Sequence, residues 1–443
     1  MRNKMKITAK QEQARPALVP KLRFQEFREG EAWKGVPLSE LVGALDAGVS
    51  VNSGDRPATG NEIGILKTSA VTNGIFEPQE NKVVFDEAER ERVKEPVQGG
   101  TIIISRMNTP ALVGANAYVE TGFKNLYLPD RLWAAKAKPG TSMRFVASIL
   151  GSDKGRAALS KLAKGSSGSM KNITKPDVLA ILVVAPSPAE QQKIADCLSS
   201  VDELIAAQAR KVDALKTHKK GLMQQLFPRE GEAQPRLRFP EFKNTGEWEE
   251  KRLEELVDIQ SGATPSKANP AFWNGSVPWV TAKDMKRLFL DDAEDQISAA
   301  AIDDGARLVP PGSLLVLTRG MTLLKNVPIC VLLREMSFNQ DVKGLRPKDG
   351  VDGLFLAWML SGSKQRLLAM VDIAGHGTGK LDTDELKALK LRLPPPAEQH
   401  RIATCLTTLD TLITAETQKY EALKTHKKGL MQQLFPSPEA PNT

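Results

Sequence analysis

The chain of 443 residues lacks several features that would assign it to a particular protein class. Its three cysteines, Cys197, Cys330 and Cys405, include no CxxC pair, which excludes a secreted disulfide scaffold. Its four histidines are scattered, so no metal cluster is predicted. No apolar run approaches the ~18 residues of a membrane-spanning helix, and the basic N-terminus lacks the apolar stretch of a signal peptide. We therefore expect a cytoplasmic protein with no membrane partner and no metal site.

The charge and the length set broad limits on partners and domains. Lys and Arg number 61 against 53 Asp and Glu, a formal net charge of +8. This excess is compatible with a polyanionic partner but does not require one. The length predicts about three globular units.

Internal repetition is the strongest signal in the sequence. ALKTHKKGLMQQLFP runs from Ala214 to Pro228 and returns unchanged 208 positions later. The match extends back over PAEQQKIADCLSSVDELIAA at 188–207 and PAEQHRIATCLTTLDTLITA at 396–415. PKLRFQEF at Pro20 returns as PRLRFPEF at Pro235. The chain is therefore two copies of one unit, a duplication and not a solenoid array.

Each repeated block predicts one long helix. No Gly or Pro interrupts 189–220, and the apolar positions alternate in steps of four and three, which is a heptad seam. A helix of about 39 residues would be on the order of 58 Å long. The predicted seam residues are Ile194, Leu198, Val201, Ile205, Val212, Leu215 and Leu222 in the first copy and Ile402, Leu406, Leu409, Ile413, Tyr420, Leu423 and Leu430 in the second.

Such a stripe needs a partner helix, and two arrangements are open. Each helix can pack back on its own domain, or the two copies can pair around a pseudo-twofold axis. We favour pairing, because the two seams have the same length and phase. A symmetric antiparallel pair would bring Gln208 near Glu416, and the polar seam positions Lys219 and Lys427 would help to fix the register.

The segments between the repeated blocks predict two α/β domains of about 150 residues each. Both contain β-rich runs, such as GGTIIISR at 99–106 and GSLLVLTR at 312–319, and a short helical stretch near Met143 or Asp352. The fold class is therefore α+β, with two α/β domains separated by two long antiparallel coiled-coil helices in a pseudo-twofold duplication. Two unlike domains on a rigid rod suit two sites along a linear partner such as B-DNA, whose half-sites lie about 34–36 Å apart.

Motifs typical of enzymes are incomplete in this chain. AGHGTGKL resembles a phosphate-binding loop but has Ala374 and Leu381 in place of the first Gly and the final Ser/Thr. The preceding KQRLLAMVDI is predicted to be helical, with no apolar β-run before the loop. Asn269-Pro270-Ala271-Phe272 departs from the tetrapeptide of amino-methyltransferases at its third residue. We expect no catalytic residue in this chain.

Over nearly its whole length, the chain resembles the specificity subunit of type I restriction-modification systems. The motifs that carry the resemblance are the PKLRFQEF/PRLRFPEF pair, TPSKANPAFWNGSVPWV at 264–280, FNQDVKGLRP at 338–347 and the helix starts PSPAEQQKIA and PPPAEQHRIA. In that family each variable segment is a target recognition domain for one half of a bipartite DNA site, and the helices form an antiparallel coiled coil that sets the gap.

The resemblance implies partners and domain boundaries. The expected partners are double-stranded DNA, two methyltransferase subunits and restriction subunits, and S-adenosylmethionine, ATP and Mg²⁺ would act in those partner subunits, not in this chain. The implied boundaries are an N-terminal segment at 1–32, recognition domain 1 at 33–186, helix 1 at 187–228, a connecting segment at 229–247, recognition domain 2 at 248–394, helix 2 at 395–436 and a C-terminal tail at 437–443.

Residues that follow apolar β-runs are the candidates for DNA contacts. Arg106 and Arg319 are the leading candidates for guanine or phosphate contacts, and the alternative for both is a structural salt bridge. Lys171, Asn172 and Lys380 can hold phosphates or belong to a tight turn. The full predicted set is Lys67, Thr68, Ser69, Arg106, Asn108, Lys171, Asn172, Thr281, Lys283, Arg319, Thr322, Lys325 and Lys380.

Two rival functions stay open at the level of the sequence. One is a self-contained DNA nuclease or methyltransferase, which would cleave or methylate DNA without partners. The other is a coiled-coil scaffold that binds no DNA.

Overall fold

The structure, a computed structural model, describes residues 18–164, 170–373 and 377–436. The predicted tail at 437–443, residues 1–17 of the N-terminal segment and Ala374 of the AGHGTGKL loop lie outside the described residues. The chain divides into two units: unit 1 is Met1–Ala206 with Glu421–Thr443, and unit 2 is Ala207–Tyr420. Each unit contains one of the variable segments and part of each long helix.

Unit 1 combines short strands with short helices. Its strands are β1 (Lys34–Pro37), β2 (Val42–Ala47), β3 (Gly64–Leu66), β4 (Asn81–Val83), β5 (Pro96–Val97), β6 (Thr101–Ser105), β7 (Met107–Asn108), β8 (Asn116–Val119), β9 (Phe123–Tyr127), β10 (Leu132–Ala137), β11 (Lys171–Asn172) and β12 (Leu182–Ala185). Its helices are α1 (Glu87–Arg92), α2 (Met143–Gly151), α3 (Asp153–Lys161), α4 (Lys175–Leu179) and the first part of α5 (Pro188–Leu226).

Two four-stranded sheets form the body of this unit. One has the order β2-β10-β6-β8 and is antiparallel, and the other has the order β4-β3-β9-β5 with β3 and β9 parallel. The predicted strand β6 is buried over its full length: Ile102 and Ile104 belong to one apolar cluster and Ile103 to another. A strand with apolar neighbours on both faces reads as a continuous hydrophobic run, which explains TIIIS.

Unit 2 repeats this composition. Its strands are β13 (Glu249–Arg252), β14 (Val257–Ser261), β15 (Val277–Val280), β16 (Phe289–Leu290), β17 (Asp295–Ile297), β18 (Leu308–Val309), β19 (Leu314–Leu317), β20 (Arg319–Gly320), β21 (Ile329–Leu332), β22 (Met336–Phe338), β23 (Val342–Pro347), β24 (Val371–Ile373), β25 (Gly379–Leu381) and β26 (Lys390–Leu393). Its helices are α6 (Leu253–Leu256), α7 (Ala299–Asp303), α8 (Gly353–Gly362), α9 (Lys364–Ala369), α10 (Thr383–Ala388), the last part of α5 and the first part of α11 (Pro396–Leu434).

The two variable segments share one topology. The sheets of unit 2 have the orders β14-β23-β19-β21-β16 and β17-β15-β22-β18, and β15 pairs with β22 in parallel as β3 does with β9. Small ribbons also correspond: β13-β26 matches β1-β12, and β20-β25-β24 matches β7-β11. The mixed helix and strand composition is confirmed. The two domains, whose sequences have diverged, keep one strand order, to which unit 2 adds β16 and β24.

One secondary-structure prediction is wrong. KQRLLAMVDI forms the helix α9 only as far as Ala369, and Val371–Ile373 forms strand β24. The local sequence pattern does not predict this strand, because its hydrogen-bond partner is β25, which lies further along the chain. Gly379–Leu381 is also a strand, so the end of the AGHGTGKL loop does not open a helix as a phosphate-binding loop requires.

A buried ion pair fixes the start of each long helix. In unit 1 the guanidinium of Arg23 donates to both carboxylate oxygens of Glu190, each at 2.8 Å, and Trp33 Nε1 donates to Oε1 at 3.2 Å. In unit 2 Arg238 donates to both oxygens of Glu398 at 2.7 Å. We call each pair the Arg–Glu clamp. The clamp gives the repeated LRF and PAEQ motifs a shared structural role.

An aromatic trio accompanies each clamp. In unit 1 Trp33 packs against Phe145 and against Phe435 from the end of α11, at ring-centroid distances of 5.9 and 6.2 Å. The trio of unit 2, which uses the end of α5, is Trp248, Phe355 and Phe227. Each unit therefore joins the start of one long helix to the end of the other.

The contacts between the long helices are antiparallel within each unit. In unit 2 Gln208 Nε2 donates to Glu416 Oε2 at 2.6 Å, and Lys219 forms an ion pair with Asp410. In unit 1 Lys427 forms an ion pair with Asp202 at 2.6 Å. The predicted seam residues are all buried or half-buried.

Candidate nucleic-acid interface

Arg106 and Arg319 lie within one residue of equivalent places in the two units. Arg106 directly follows β6, and Arg319 lies two residues after the end of β19, each where an inner strand of the sheet passes into a small ribbon. The carbonyl of Arg106 accepts from the Ile173 N–H at 3.0 Å, and the carbonyl that accepts in the same way from the Leu381 N–H at 2.9 Å is that of Thr318, not of Arg319. In unit 2 the ribbon places Arg319 opposite Lys380, and in unit 1 it places Asn108 opposite Lys171. In this register Arg106 corresponds to Thr318, and Arg319 corresponds to Met107. Lys171, Asn172 and Lys380 lie in strands, so the tight-turn alternative is wrong.

Arg319 lies at the exposed edge of a fixed turn. Its backbone N–H donates to the carbonyl of Asp341 at 3.2 Å, while its side chain is exposed. Gly320 has φ +137°, a region that favours glycine, and a 3-10 turn at Met321–Leu324 follows. Thr322 and Lys325 are exposed on or beside this turn.

The surface around Arg319 is positively charged. Within the described ranges the side chains of Arg319 and Lys325 have no ion-pair or hydrogen-bond partner. Burial lowers the pKa of Lys343, and the charges of Arg319 and Lys387 lower it further. Lys380 is instead paired with Asp382 at 3.3 Å, which neutralises much of its charge. Lys343 donates to Ser261 Oγ at 2.7 Å, a neutral partner that leaves its charge uncompensated. The cations without an acidic partner here, in the described part of the chain, are Arg319, Lys325 and Lys343.

Arg106 has a different environment from Arg319. Its guanidinium carbon lies 6.0 Å from the centroid of the Trp133 ring, and Lys175 Nζ lies at the same distance from that ring. In the described part of the chain its buried Nε–H has no hydrogen-bond partner, nor has the buried Oδ1 of Asn172. The salt-bridge alternative is not observed for either arginine among the described residues.

The remaining candidates lie after β3 and β15, in the other sheet of each unit. Lys67 Nζ and Ser69 Oγ both contact Glu80, at 3.2 and 2.5 Å, and the Ser69 hydroxyl and then Lys67 hold the pKa of that carboxyl below its usual range. Thr68 begins a 3-10 turn.

In unit 2 the same position is also engaged within the protein. Thr281 caps a turn through Asp284, and Lys283 pairs with Asp295 at 2.8 Å and with Glu294 at 3.2 Å. Side chains that already have these partners must break them to reach a phosphate. Within unit 2 the structure thus brings the Arg319 group together on one ribbon and turn, whereas Lys283 follows β15 in the other sheet.

Sequence reasoning missed four residues on the Arg319 surface. Lys343 lies within the FNQDVKGLRP motif, and its place in that motif could have indicated it as a candidate. The exposed apolar residues Met321, Leu324 and Ile373 had no signal, because apolar residues in TRGMTLLK and VDI are typical of a core.

The described part of the chain also bears on metal sites, reactive thiols and membrane-spanning helices. There, no group of three or more His, Cys, Asp or Glu side chains could hold a metal ion. The Cys330 thiol is buried, which raises its pKa to about 12 and keeps it protonated. No described helix is long and apolar enough to cross a membrane.

Comparison with known proteins places these features in a family. A family model described as the type I restriction modification DNA specificity domain matches residues 31–217 and again 245–425. The type I restriction enzyme EcoR124I/EcoR124II specificity subunit of Escherichia coli is 31% identical over 175 residues, which cover 39% of this chain and 43% of that protein. The MjaIX specificity subunit of Methanocaldococcus jannaschii is 28% identical over 195 residues, which cover 42% and 44%. The matched segment spans less than half the length of each relative.

Solved structures show the same fold. The crystal structure of a type I restriction-modification system S subunit from M. genitalium matches with a TM-score of 0.60 at 14% identity, covering 94% of this chain and 99% of that one. A chain from a structure of type I R-M complex assembly and conformational transition matches with a TM-score of 0.53 at 19% identity, covering 92% and 98%. Because the family model matches most of the sequence, once in each copy of the internal repeat, the chain belongs to the type I restriction-modification DNA specificity domain family.

Proposed function

We propose that this chain is the DNA sequence-specificity subunit of a type I restriction-modification complex and that it reads a bipartite double-stranded DNA target. The observation that carries the proposal is that each unit has an arginine, Arg106 or Arg319, within two residues of the end of an inner sheet strand, where the chain enters a small ribbon. One recognition domain would read each half-site. Arginine suits this task, because its guanidinium donates two hydrogen bonds to guanine O6 and N7 or to a phosphate.

The long helices form the spacer in this proposal. The interhelical contacts of Gln208 with Glu416 and of Lys427 with Asp202 support an antiparallel coiled coil, with the apolar seam buried between the helices. The length of such a coiled coil would set the gap between the two half-sites.

The catalytic steps would belong to partner proteins. Two methyltransferase subunits would dock on this chain, and restriction subunits would complete the assembly in the cytoplasm. S-adenosylmethionine, ATP and Mg²⁺ would bind in those subunits, and this chain would contribute no catalytic residue. The names of the matching relatives, all specificity subunits of type I restriction enzymes, support this division of labour.

The proposal is tested by selection of bound duplexes from a random DNA library, with the full chain alone and together with its methyltransferase subunits. We expect a motif of two short half-sites separated by a fixed gap of unspecified bases. A chain with one heptad inserted into each of α5 and α11 should select the same half-sites with a longer gap.

Three results would contradict the proposal. Selection of no motif would favour a scaffold without a DNA role. Cleavage or methylation of DNA by the chain alone would favour a self-contained enzyme. Changed half-sites with an unchanged gap in the heptad variant would refute the spacer role of the helices.

A further inference from the structure

An exposed group of apolar side chains lies on the charged surface of unit 2. Met321 is 63% exposed, Leu324 is 41% exposed and Ile373 is 72% exposed. We call these three residues the apolar patch. The 3-10 turn that bears Met321 and Leu324 contacts β24, which ends at Ile373. Large apolar side chains that face water in one place indicate a surface that another molecule covers.

The turn that presents the patch is anchored and not loosely packed. Leu323, between the two exposed residues, is fully buried. A Cβ at Gly379 would come within 2.7 Å of the Leu323 Cβ and 3.1 Å of a Val371 methyl carbon, so the turn fits closely on the ribbon. Exposure of Met321 and Leu324 therefore follows from the fold of the turn.

The charges that surround the patch select the chemistry of its partner. Arg319 immediately precedes the turn, Lys325 immediately follows it, and Lys343 is close enough to Arg319 for the two charges to repel. The acidic residues on and beside the ribbon are Asp382, which is paired with Lys380, Asp372 on β24, and Asp341, whose carbonyl accepts the Arg319 N–H and whose carboxylate accepts from Asn339. The excess is positive, which fits a polyanion that also presents an apolar group.

B-DNA has one such group in its major groove, the C5 methyl of thymine. We propose that the apolar patch, led by Met321, contacts thymine methyl groups in the half-site that unit 2 reads. The inference rests on the proposed function, because it assigns a base class to the same surface. Met321 stands two residues after Arg319 and is exposed, so a guanine or phosphate contact by the arginine would bring the thioether side chain close to the same stretch of DNA.

Unit 1 has a different residue at the corresponding position. The turns that follow fix the correspondence: the Thr109 carbonyl accepts from the Val113 N–H at 2.9 Å, as the Thr322 carbonyl does from the Asn326 N–H at 2.9 Å. The residue before each threonine is Asn108 in unit 1 and Met321 in unit 2. Asn108 Nδ2 donates to Ser105 Oγ at 3.3 Å, and its Oδ1 accepts from the Thr109 N–H at 2.9 Å. This position in unit 1 is polar. Sensitivity to a thymine methyl at this point is therefore expected of the half-site read by unit 2 only.

The experiment replaces thymine by deoxyuridine, which removes the methyl group and leaves base pairing unchanged. The full chain, in complex with its methyltransferase subunits, is titrated with duplexes that carry its selected motif, with one thymine of either half-site replaced at a time. We expect at least one replacement in the half-site of unit 2 to weaken binding about fourfold, the effect of one buried methyl group. Met321→Ala should weaken binding to the thymine duplex by a similar factor and abolish the effect of that replacement.

Matched variants separate this contact from a general loss of binding. Ile373→Ser tests the patch at a second position, and Asn108→Ala in unit 1 should leave the deoxyuridine effect in the half-site of unit 2 intact. Unchanged thermal unfolding of Met321→Ala, expected for an exposed side chain, shows that the fold is preserved.

Several outcomes would overturn the inference while the proposed function stands. The first is specific binding to a half-site of unit 2 that contains no thymine. The second is a half-site of unit 2 in which no replacement of thymine by deoxyuridine weakens binding. The third is a deoxyuridine effect that stays as large in Met321→Ala and Ile373→Ser as in the wild type. Loss of DNA bending in Met321→Ala without coupling to any methyl group would instead assign the patch as a wedge between bases. Binding of the wild type, but not of Met321→Ala, to anionic vesicles without specific DNA binding would contradict both proposals.

Discussion

The two units attach their variable segments to the long helices in the same way but present different surfaces. Ser199 on α5 and Thr407 on α11 are equivalent positions of the repeat. In unit 1 the Ser199 hydroxyl accepts a hydrogen bond from Arg144, and in unit 2 the Thr407 hydroxyl accepts one from Trp358 Nε1 at 3.1 Å. The helix keeps a hydroxyl at this point, and each domain supplies its own donor.

This difference shows where the duplicated protein tolerates change. The Arg–Glu clamp and the aromatic trio recur in both units, and they position the domain on the helices. Beyond them, Arg106 packs by Trp133 while Arg319 is exposed among cations and the apolar patch. Because the Arg–Glu clamp and the aromatic trio attach both domains to the helices, the exposed surfaces of the domains can differ while the attachment stays the same.

The largest effect is expected when the clamp is broken. In unit 2, Arg238→Ala leaves the fully buried carboxylate of Glu398 without its guanidinium partner. An uncompensated buried charge costs about 3–5 kcal/mol of the free energy of unfolding. The matched change Arg23→Ala should cost less, because Trp33 Nε1 still donates to Glu190.

Urea unfolding, with hydrogen exchange to locate the change within the chain, measures this difference. Arg238→Lys serves as the control, since it keeps the charge but loses the two-point hydrogen bond and should fall between wild type and Arg238→Ala. A larger loss for Arg23→Ala than for Arg238→Ala would show that Trp33 does not support the clamp.

The two arginines of the candidate interface should separate binding from stability. Arg319→Ala should weaken binding to the selected motif by about 1–3 kcal/mol if the side chain reads a base, with little change in stability because it is exposed. Arg106→Ala should lower the stability of unit 1 as well, because its side chain packs by Trp133.

Binding to specific and random duplexes and thermal unfolding measure the two effects. Arg307→Ala is the matched control for Arg319→Ala, since Arg307 is also an exposed arginine of unit 2 without an ion-pair partner among the described residues. An equal loss on random DNA would make Arg319 a phosphate contact. A loss of stability in Arg319→Ala that matches Arg106→Ala would remove the distinction between the two surfaces.

The structure of the repeated helices could be predicted from the sequence, and the strand order of the divergent segments could not. The heptad steps predicted two long helices, and the equivalence of Gln208 and Glu416 predicted their contact, because helical periodicity is a local property. The sequence also predicted that the variable segments belong to two copies of one unit, but it did not predict the order of their strands. Their strands have two to six residues, and partners distant in the chain supply the hydrogen bonds.

The prediction of individual site residues was limited in the same way, because the sequence does not show tertiary contacts. Lys67 and Lys283 have the composition of DNA contacts, yet Glu80 and Asp295 engage them in the folded protein. Lys343 was overlooked because only the fold brings β23 beside β19 and sets its charge near Arg319. A sequence shows which residues are charged, but the fold decides which charges are already paired.

The smallest effect concerns the one seam contact in which the two copies differ in charge. Glu416 accepts hydrogen bonds from Lys211 and Gln208, and these, with Lys211 first, hold the pKa of its carboxyl below the usual 4.5. A carboxyl whose pKa is lower in the folded state stabilises the fold above its unfolded pKa. That contribution disappears as the pH falls through the folded pKa. The urea midpoint of the wild type should therefore decrease with falling pH below about 4.5, and Glu416→Gln should lose this part of the decrease.

Gln208→Glu is the matched change on the other helix, and it places two carboxylates at the equivalent positions. Repulsion between them should lower the urea midpoint at neutral pH, and protonation should relieve it, so the contribution of this position to the pH dependence is expected to change sign relative to the wild type. The same slope in Gln208→Glu as in the wild type would mean that the two side chains do not meet in solution. The outcome thus decides whether the two copies of the repeat pair through this position, which neither helix alone can reveal.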